Sequence, residues 1–139
     1  MLEAVIFDVD GTLADTERDG HRVAFNAAFR EFGLEWNWDE ALYGELLKIG
    51  GGKERIRAHV ERNHAELLLQ ADFDAWIACL HAAKTRHFTA LLQQPCIPLR
   101  PGVARLLREL RQGGVRLVIA TTSAPQAVTA LLEASLGAE

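Results

Sequence analysis

A basic excess is missing from this 139-residue chain: 15 Lys and Arg stand against 19 Asp and Glu, for a formal net charge of −4. That balance leaves no electrostatic footprint for nucleic acid or an anionic membrane, so neither is expected as a partner. No apolar run approaches the roughly 20 residues that a membrane span needs. Cysteine is scarce too. Cys79 and Cys96 form no CxxC pair and sit in no Cys/His cluster, so a metal knuckle is excluded. They are expected to be free, buried thiols in a reducing cytoplasm, with a disulfide between them as the alternative. Strand character begins almost at Met1, so no signal or transit peptide is expected. What is present, 49% hydrophobic and 24% charged residues, suits one compact unit or slightly more.

The most informative segment is AVIFDVDGTLADTE, residues 4–17. Its apolar run, Ala4 to Phe7, is β-rich, continuous and too short for a helix, which predicts a buried parallel strand. Asp8 then falls at the carboxyl end of that strand, where open α/β sheets place their ligands. Asp10 follows after one spacer, so both carboxylates face one way if the chain stays extended. Gly11 permits a sharp turn, and the Thr12 hydroxyl is expected to hold Asp10. Two acids so placed suit phosphoryl transfer through an aspartate. Asp8 would attack phosphorus, while Asp10 would protonate the leaving oxygen and later deprotonate the hydrolytic water. A neighbouring carboxylate suits one of the pair to the acid role. Mg²⁺ is the expected counter-ion, because phosphate and carboxylate oxygens favour an octahedral oxygen site.

These residues resemble the first motif of the haloacid dehalogenase superfamily. The resemblance implies that Asp8 is the nucleophile and Asp10 the acid/base. It also implies Mg²⁺ held by Asp8 and by the backbone carbonyl of Asp10. The true dehalogenases of that superfamily lack the second acid, so Asp10 favours phosphate over carbon–halogen chemistry. The segments GHRVAFNAAFREFGLEW and GGKERI (residues 20–36 and 51–56) resemble the cap of the CbbY-like subgroup.

Helical periodicity occupies most of residues 14–93. Phe25, Ala28, Phe29 and Phe32 share a helical stripe that Gly33 ends. Asp39 is predicted to N-cap a helix with Leu42, Leu46 and Leu47 inward. A flexible break at Gly50–Gly52 precedes a helix from Lys53 carrying Ile56 and Val60, with Leu67 beyond. A last helix from Asp72 carries Phe73, Ile77, Leu80, Phe88 and Leu91. Together these make a small bundle. Pro101 suits the first turn of a helix over 101–112, with Leu106, Leu107 and Leu110 inward and Gly113–Gly114 at its end. Val115 to Ala120 reads as a second buried strand, and Pro125 opens a final helix. The predicted fold is therefore α/β. By resemblance it is part of a Rossmann-like parallel-sheet core (residues 1–13 and 94–139) with an inserted four-helix cap (14–93). Two parallel strands leave bare edges, so the chain is expected to be the N-terminal part of a longer protein or to complete its sheet with a second chain.

Further candidates lie outside the opening motif. Thr121 ends the second strand as Asp8 ends the first, and it resembles the superfamily's second motif, which hydrogen-bonds the transferring phosphoryl group. Thr122 and Ser123 are alternates or helix caps. Lys53 and Arg55 follow the glycines and could clamp a second phosphate. Glu54 and the lack of a preceding strand exclude a Walker A loop. Glu17 and His21, one helical turn apart, are expected to share a face and bind sugar hydroxyls. His59, His64, His81 and His87 read as surface or packing residues, and Trp36, Trp38 and Trp76 as bundle filling. Arg100 carries no separate chemical signal. The superfamily's later Lys and acidic pair have no counterpart among the 18 residues after Thr121, where the acids are Glu133 and Glu139. Residues 1–139 alone are therefore expected to bind Mg²⁺ weakly and turn over poorly. The resemblance implies a cytoplasmic, Mg²⁺-dependent phosphatase of small sugar phosphates, with a xylulose-1,5-bisphosphate-like substrate. The alternatives are a β-phosphoglucomutase-like mutase and an inactive fragment or binding module.

Overall fold

The computed structural model of the chain describes residues 2–94, 97–121, 123 and 125–137. Two apolar stretches far apart in sequence form its sheet. Strands β1 (Ala4–Phe7) and β2 (Arg116–Ile119) pair in parallel, in register from Ala4↔Arg116 to Phe7↔Ile119. Parallel neighbours require a long crossover. Here it carries α1 (Arg22–Glu31), α2 (Glu40–Leu46), α3 (Gly52–Asn63), α4 (Phe73–Leu92) and α5 (Val103–Gln112), and α6 (Pro125–Leu136) follows β2. The α/β class and the parallel pairing are as expected. The chain divides into two compact units, Met1–Gly20 with Thr89–Glu139, and His21–Phe88.

In the unit that holds the sheet, Val9, Leu13 and Ala14 are buried. Of the strand residues Phe7 is buried, but most of the others are not, which corrects the sequence reading. Ile6 is 67% exposed, and Leu117, Val118 and Ile119 are 37% exposed. Each strand has a single neighbour among the described residues and so keeps one unpaired edge, and the elements packed on the sheet leave much of its apolar faces uncovered. A second correction concerns α5, which starts at Val103 rather than Pro101. Gly102 has φ +85°, outside helical range, so Pro101 stays in the preceding turn. Leu107 points inward from α5, but Leu106, expected beside it, is 43% exposed. Helix α5 ends as predicted at Gly113 and Gly114, where Gly114 N–H donates to the Arg111 carbonyl and Val115 N–H to the Leu110 carbonyl.

The helical unit has its own core, shared by all of α1–α4 through Phe25, Tyr43, Ile56 and Leu80 among others. At its centre Trp38 is fully buried, its ring 4.7 Å from Phe25 and 4.8 Å from Phe29. Trp36 and Trp76 pack half-buried against the same cluster, so the tryptophans fill the bundle as expected. Trp38 lies in an irregular segment, and α1 holds that segment through Asn26. The buried Asn26 amide accepts from Trp38 N–H (2.8 Å) and donates to the Trp38 carbonyl (2.9 Å). Asp39 caps α2 as predicted, its Oδ1 accepting from Leu42 N–H at 2.8 Å. On α2 the inward pair is Tyr43 and Leu46, three residues apart, whereas Leu47, expected inward, is 37% exposed. Cys79 is also exposed rather than buried, since α4 turns its neighbours Ile77 and Leu80 into the core instead. Cys96 lies outside the described residues.

Candidate functional site

Strand β1 delivers Asp8 one residue beyond its end. The chain then folds back sharply, with the N–H groups of Thr12, Leu13 and Ala14 converging on the Val9 carbonyl and Gly11 N–H donating to the Ala14 carbonyl at 2.8 Å. This turn makes the two acids unequal. Asp10 accepts from Thr16 Oγ1 on one carboxylate oxygen and from Ser123 Oγ on the other. Asp8 is exposed, and its hydrogen-bonding neighbour among the described residues is Thr12 Oγ1 at 3.5 Å. The expected Thr12–Asp10 contact is thus replaced. The turn leaves Thr12 exposed beside Asp8, while the buried Thr16 reaches Asp10 from the far side of the loop.

The segment after β2 supplies the other half of this arrangement. Thr121 follows the strand closely, and its Oγ1 accepts from Ser123 N–H at 3.1 Å. Ser123 thereby sits where its hydroxyl meets Asp10, a role that sequence reasoning did not assign to it. Thr122 lies outside the described residues. Arg100 also joins the loop, its Nη1 donating to the Gly11 carbonyl and its backbone N–H to the Leu13 carbonyl (2.8 Å).

In the helical unit, the His21 ring stacks on Phe88 with centroids 3.9 Å apart, and its Nδ1 lies 2.8 Å from Lys84 Nζ. Lys84 is 8% exposed, with its ammonium 5.0 Å from the Phe25 ring centroid and 5.2 Å from that of Phe88. Lys84 was missed in the sequence. Its signal was there, because it falls on the same helical stripe as Ile77, Leu80 and Phe88, where a cation is out of place. His81 belongs to the same neighbourhood. Burial lowers its pKa first, and the charges of Lys84 and Lys53 lower it further. The Glu54 carboxylate acts on His81 in the opposite direction, so His21, Lys53, His81 and Lys84 make a cation-rich neighbourhood of this unit that also holds one acid.

Lys53 itself is exposed. Arg55 is half-buried, with Nε donating to the Ile49 carbonyl (2.9 Å) and its guanidinium 5.9 Å from the Tyr43 ring centroid. That carbonyl contact ties down the glycine-rich turn, so Arg55 is in part a structural residue. Glu17 and His21 bound a π-turn, Glu17–His21. Its wider winding replaces the α-helical face on which they were expected to lie. Among the other histidines, His59 is buried with its pKa lowered to about 4, by burial and then by the charge of His64. His64 stacks on Trp36 at 4.8 Å, and His87 Nε2 pairs with Glu31 at 2.7 Å. These are packing and surface roles, as expected.

Residues 2–139 match the family described as haloacid dehalogenase-like hydrolase. The chain is 49% identical over 138 residues to protein CbbY (plasmid) of Cupriavidus necator, covering 99% of this chain and 54% of that one. A crystal structure of CbbY from Rhodobacter sphaeroides in complex with phosphate superposes with a TM-score of 0.73 at 46% identity, over 99% of this chain and 58% of that one. Another, of a CbbY variant from the same organism in complex with xylulose-1,5-bisphosphate, gives 0.72 at 45% identity with the same coverage. This chain thus spans little more than half the length of these relatives. It belongs to the haloacid dehalogenase-like hydrolase family.

Proposed function

As a member of that family, this chain, we propose, carries the nucleophile and proton-transfer carboxylates of a phosphatase that acts on small sugar bisphosphates of the pentulose 1,5-bisphosphate class. One observation carries the reading: Asp8 is left open at the strand end while Asp10 is held on both oxygens by Thr16 and Ser123. An open carboxylate keeps its lone pairs for attack, and a held one is aimed for proton transfer. An Asp8 oxygen bonds to phosphorus as the sugar–oxygen bond to phosphorus breaks, and Asp10 gives its proton to that leaving oxygen. Water then attacks the aspartyl-phosphate and passes a proton to Asp10, so that inorganic phosphate leaves and Asp8 is restored.

Thr121, with Thr122 beside it, would hydrogen-bond the phosphoryl oxygens. The cluster of Lys53, His81 and Lys84, with His21 and Arg55, suits the second phosphate of a bisphosphate, and Glu17 would take a sugar hydroxyl. Likeness to a protein seen with xylulose-1,5-bisphosphate supports that substrate class. The Asp8 carboxylate and the Asp10 backbone carbonyl are hard oxygen donors of the kind Mg²⁺ takes. No group of three or more metal-binding side chains clusters among the described residues, so these donors would make only part of a site. The ion, when bound, offsets charge on the phosphoryl oxygens. The exposed apolar strands suit a sheet continued by further strands, from a longer chain or from a second one, and the cytoplasm suits the free Cys79.

The test is phosphate release from xylulose-1,5-bisphosphate with Mg²⁺, by the natural protein carrying these residues. Asp8→Asn should abolish release. Asp10→Asn should lower it by about 10²–10⁴-fold. Full activity in Asp8→Asn overturns the reading, and an isomerised bisphosphate without released phosphate would make the protein a mutase instead.

A further inference from the structure

The catalytic loop contains one free pivot. Gly11 sits at φ +75°, and a side chain built there would meet nothing within 4 Å, so local packing does not fix its conformation. The peptide planes on either side of this glycine must be fixed in another way. On the N-terminal side, Gly11 N–H donates to the Ala14 carbonyl at 2.8 Å. Peptide planarity then sets the direction of the Asp10 carbonyl. On the C-terminal side, Thr12 N–H of the same peptide donates to the Val9 carbonyl at 3.1 Å, and the Gly11 carbonyl accepts from Arg100 Nη1, 89 residues away in sequence, which ties that plane to a second segment of the chain.

Arg100 reaches the loop at other points as well. Its N–H donates to the Leu13 carbonyl at 2.8 Å, and its predecessor Leu99 bridges Ala14 in antiparallel pairing. Its Nε lies 3.8 Å from Asp15 Oδ1, a carboxylate that also faces Arg18 at 3.6 Å. One guanidinium therefore joins the Gly11 pivot to the residue that closes the loop. The fork of donors on arginine can do this, whereas a point-charge ammonium cannot hold both partners in fixed geometry.

Resting on the phosphatase reading above, we propose that Arg100 is a positioning residue that locks the Gly11 pivot and so aims Asp10 at the leaving oxygen and at the hydrolytic water. Arg100 does not touch the reacting atoms, so it acts on turnover and not on substrate affinity. Misplacing a reacting group by about 1 Å costs on the order of 10²-fold in rate.

Three variants test this, Arg100→Ala, Arg100→Gln and Arg100→Lys, each assayed in the natural protein with xylulose-1,5-bisphosphate and checked for its melting temperature. The Ala and Gln variants should lose at least about tenfold in kcat with KM within about twofold. The Lys variant should recover part of that loss, since it restores the Asp15 pairing. A kcat within twofold of wild type in Ala or Gln overturns the proposal, as does a loss that appears equally in KM. If Ala fails to fold, the same limits apply to Gln and Lys. Asp8→Asn run alongside separates the two readings: its full activity sinks the aspartyl-phosphate mechanism on which this rests, whereas its inactivity beside an unaffected Arg100→Ala sinks only the role of Arg100.

Discussion

Replacing Asn26 by leucine isolates what one buried amide contributes to the helical unit. Asn26 is 6% exposed and spends its side chain on the backbone of a single residue, the fully buried Trp38. Leucine shares the branched shape of asparagine but is bulkier, so the substitution opens no cavity, removes the paired hydrogen bonds and adds some crowding. The Trp38 N–H loses its acceptor outright. The Trp38 carbonyl keeps Arg22 Nη1 at 3.3 Å, so its loss is smaller. An orphaned buried backbone group costs about 1–3 kcal/mol and a partly compensated bond about 0.5–1.5 kcal/mol, so Asn26→Leu should destabilise by about 2–4 kcal/mol. Trp36, Trp38 and Trp76 all lie in this unit, so urea unfolding followed by tryptophan fluorescence reads it directly. Asn26→Ala should be worse, by the cost of the cavity it adds. A Leu variant within about 0.5 kcal/mol of wild type would refute the reasoning.

A second prediction concerns pH. The pKa of His59 falls from 6.5 unfolded to about 4 in the fold, so between those values the unfolded chain binds more protons. The neutral imidazole therefore contributes stability that is fully present above about pH 6.5 and is lost as pH falls towards 4, by up to about 3 kcal/mol. Measured against His59→Phe, wild type should lose stability across that window, and parallel pH curves would contradict it. The third prediction contrasts two helical glycines. A Cβ on Gly52 would come 2.4 Å from His81 Nε2 and 3.3 Å from Phe25 Cζ, whereas one on Gly44 meets nothing within 4 Å. Gly44→Ala should raise stability by about 0.5–1 kcal/mol and Gly52→Ala should lower it by about 1–3 kcal/mol. Melting shifts of the same sign would refute the contrast.

What could be read from the sequence was set by short-range physics. The order strand, acid, spacer, acid, glycine fixes the turn within a few residues, and Asp39 declares its cap three residues before Leu42. Helix spans follow from apolar spacing because each helix buries one face in its own unit. The partners that specialise the site were not legible in this way. Ser123 reaches Asp10 across 113 residues and Lys84 reaches His21 across 63, and no local pattern encodes either meeting. Thr12, and not Thr16, is the partner the sequence suggests for Asp10, because proximity in sequence stands in for proximity in space. Strand burial was misjudged for the complementary reason. An apolar run shows that a strand is suited to burial, but the layers packed on the faces of its sheet decide whether it is buried.

The proposed chemistry depends on making two nearly adjacent aspartates different, and the fold directs partners to one of them. Thr16 comes from the outgoing chain and Ser123 from the segment after β2, so both Asp10 oxygens are engaged by separate segments. Among the described residues Asp8 has a long contact to Thr12, a hydroxyl that can rotate away as a phosphoryl group arrives. Holding Asp8 equally well would occupy the lone pairs needed for attack, and freeing Asp10 would let its carboxyl wander from the proton it must move. The asymmetry therefore belongs to the two hydroxyls as much as to the two carboxylates. On the proposed mechanism, asparagine at position 10 should separate the two tasks. Its carbonyl oxygen can still accept one hydroxyl and its amide can donate to the other, since each hydroxyl can turn either way. The loop then keeps its shape while proton transfer is lost.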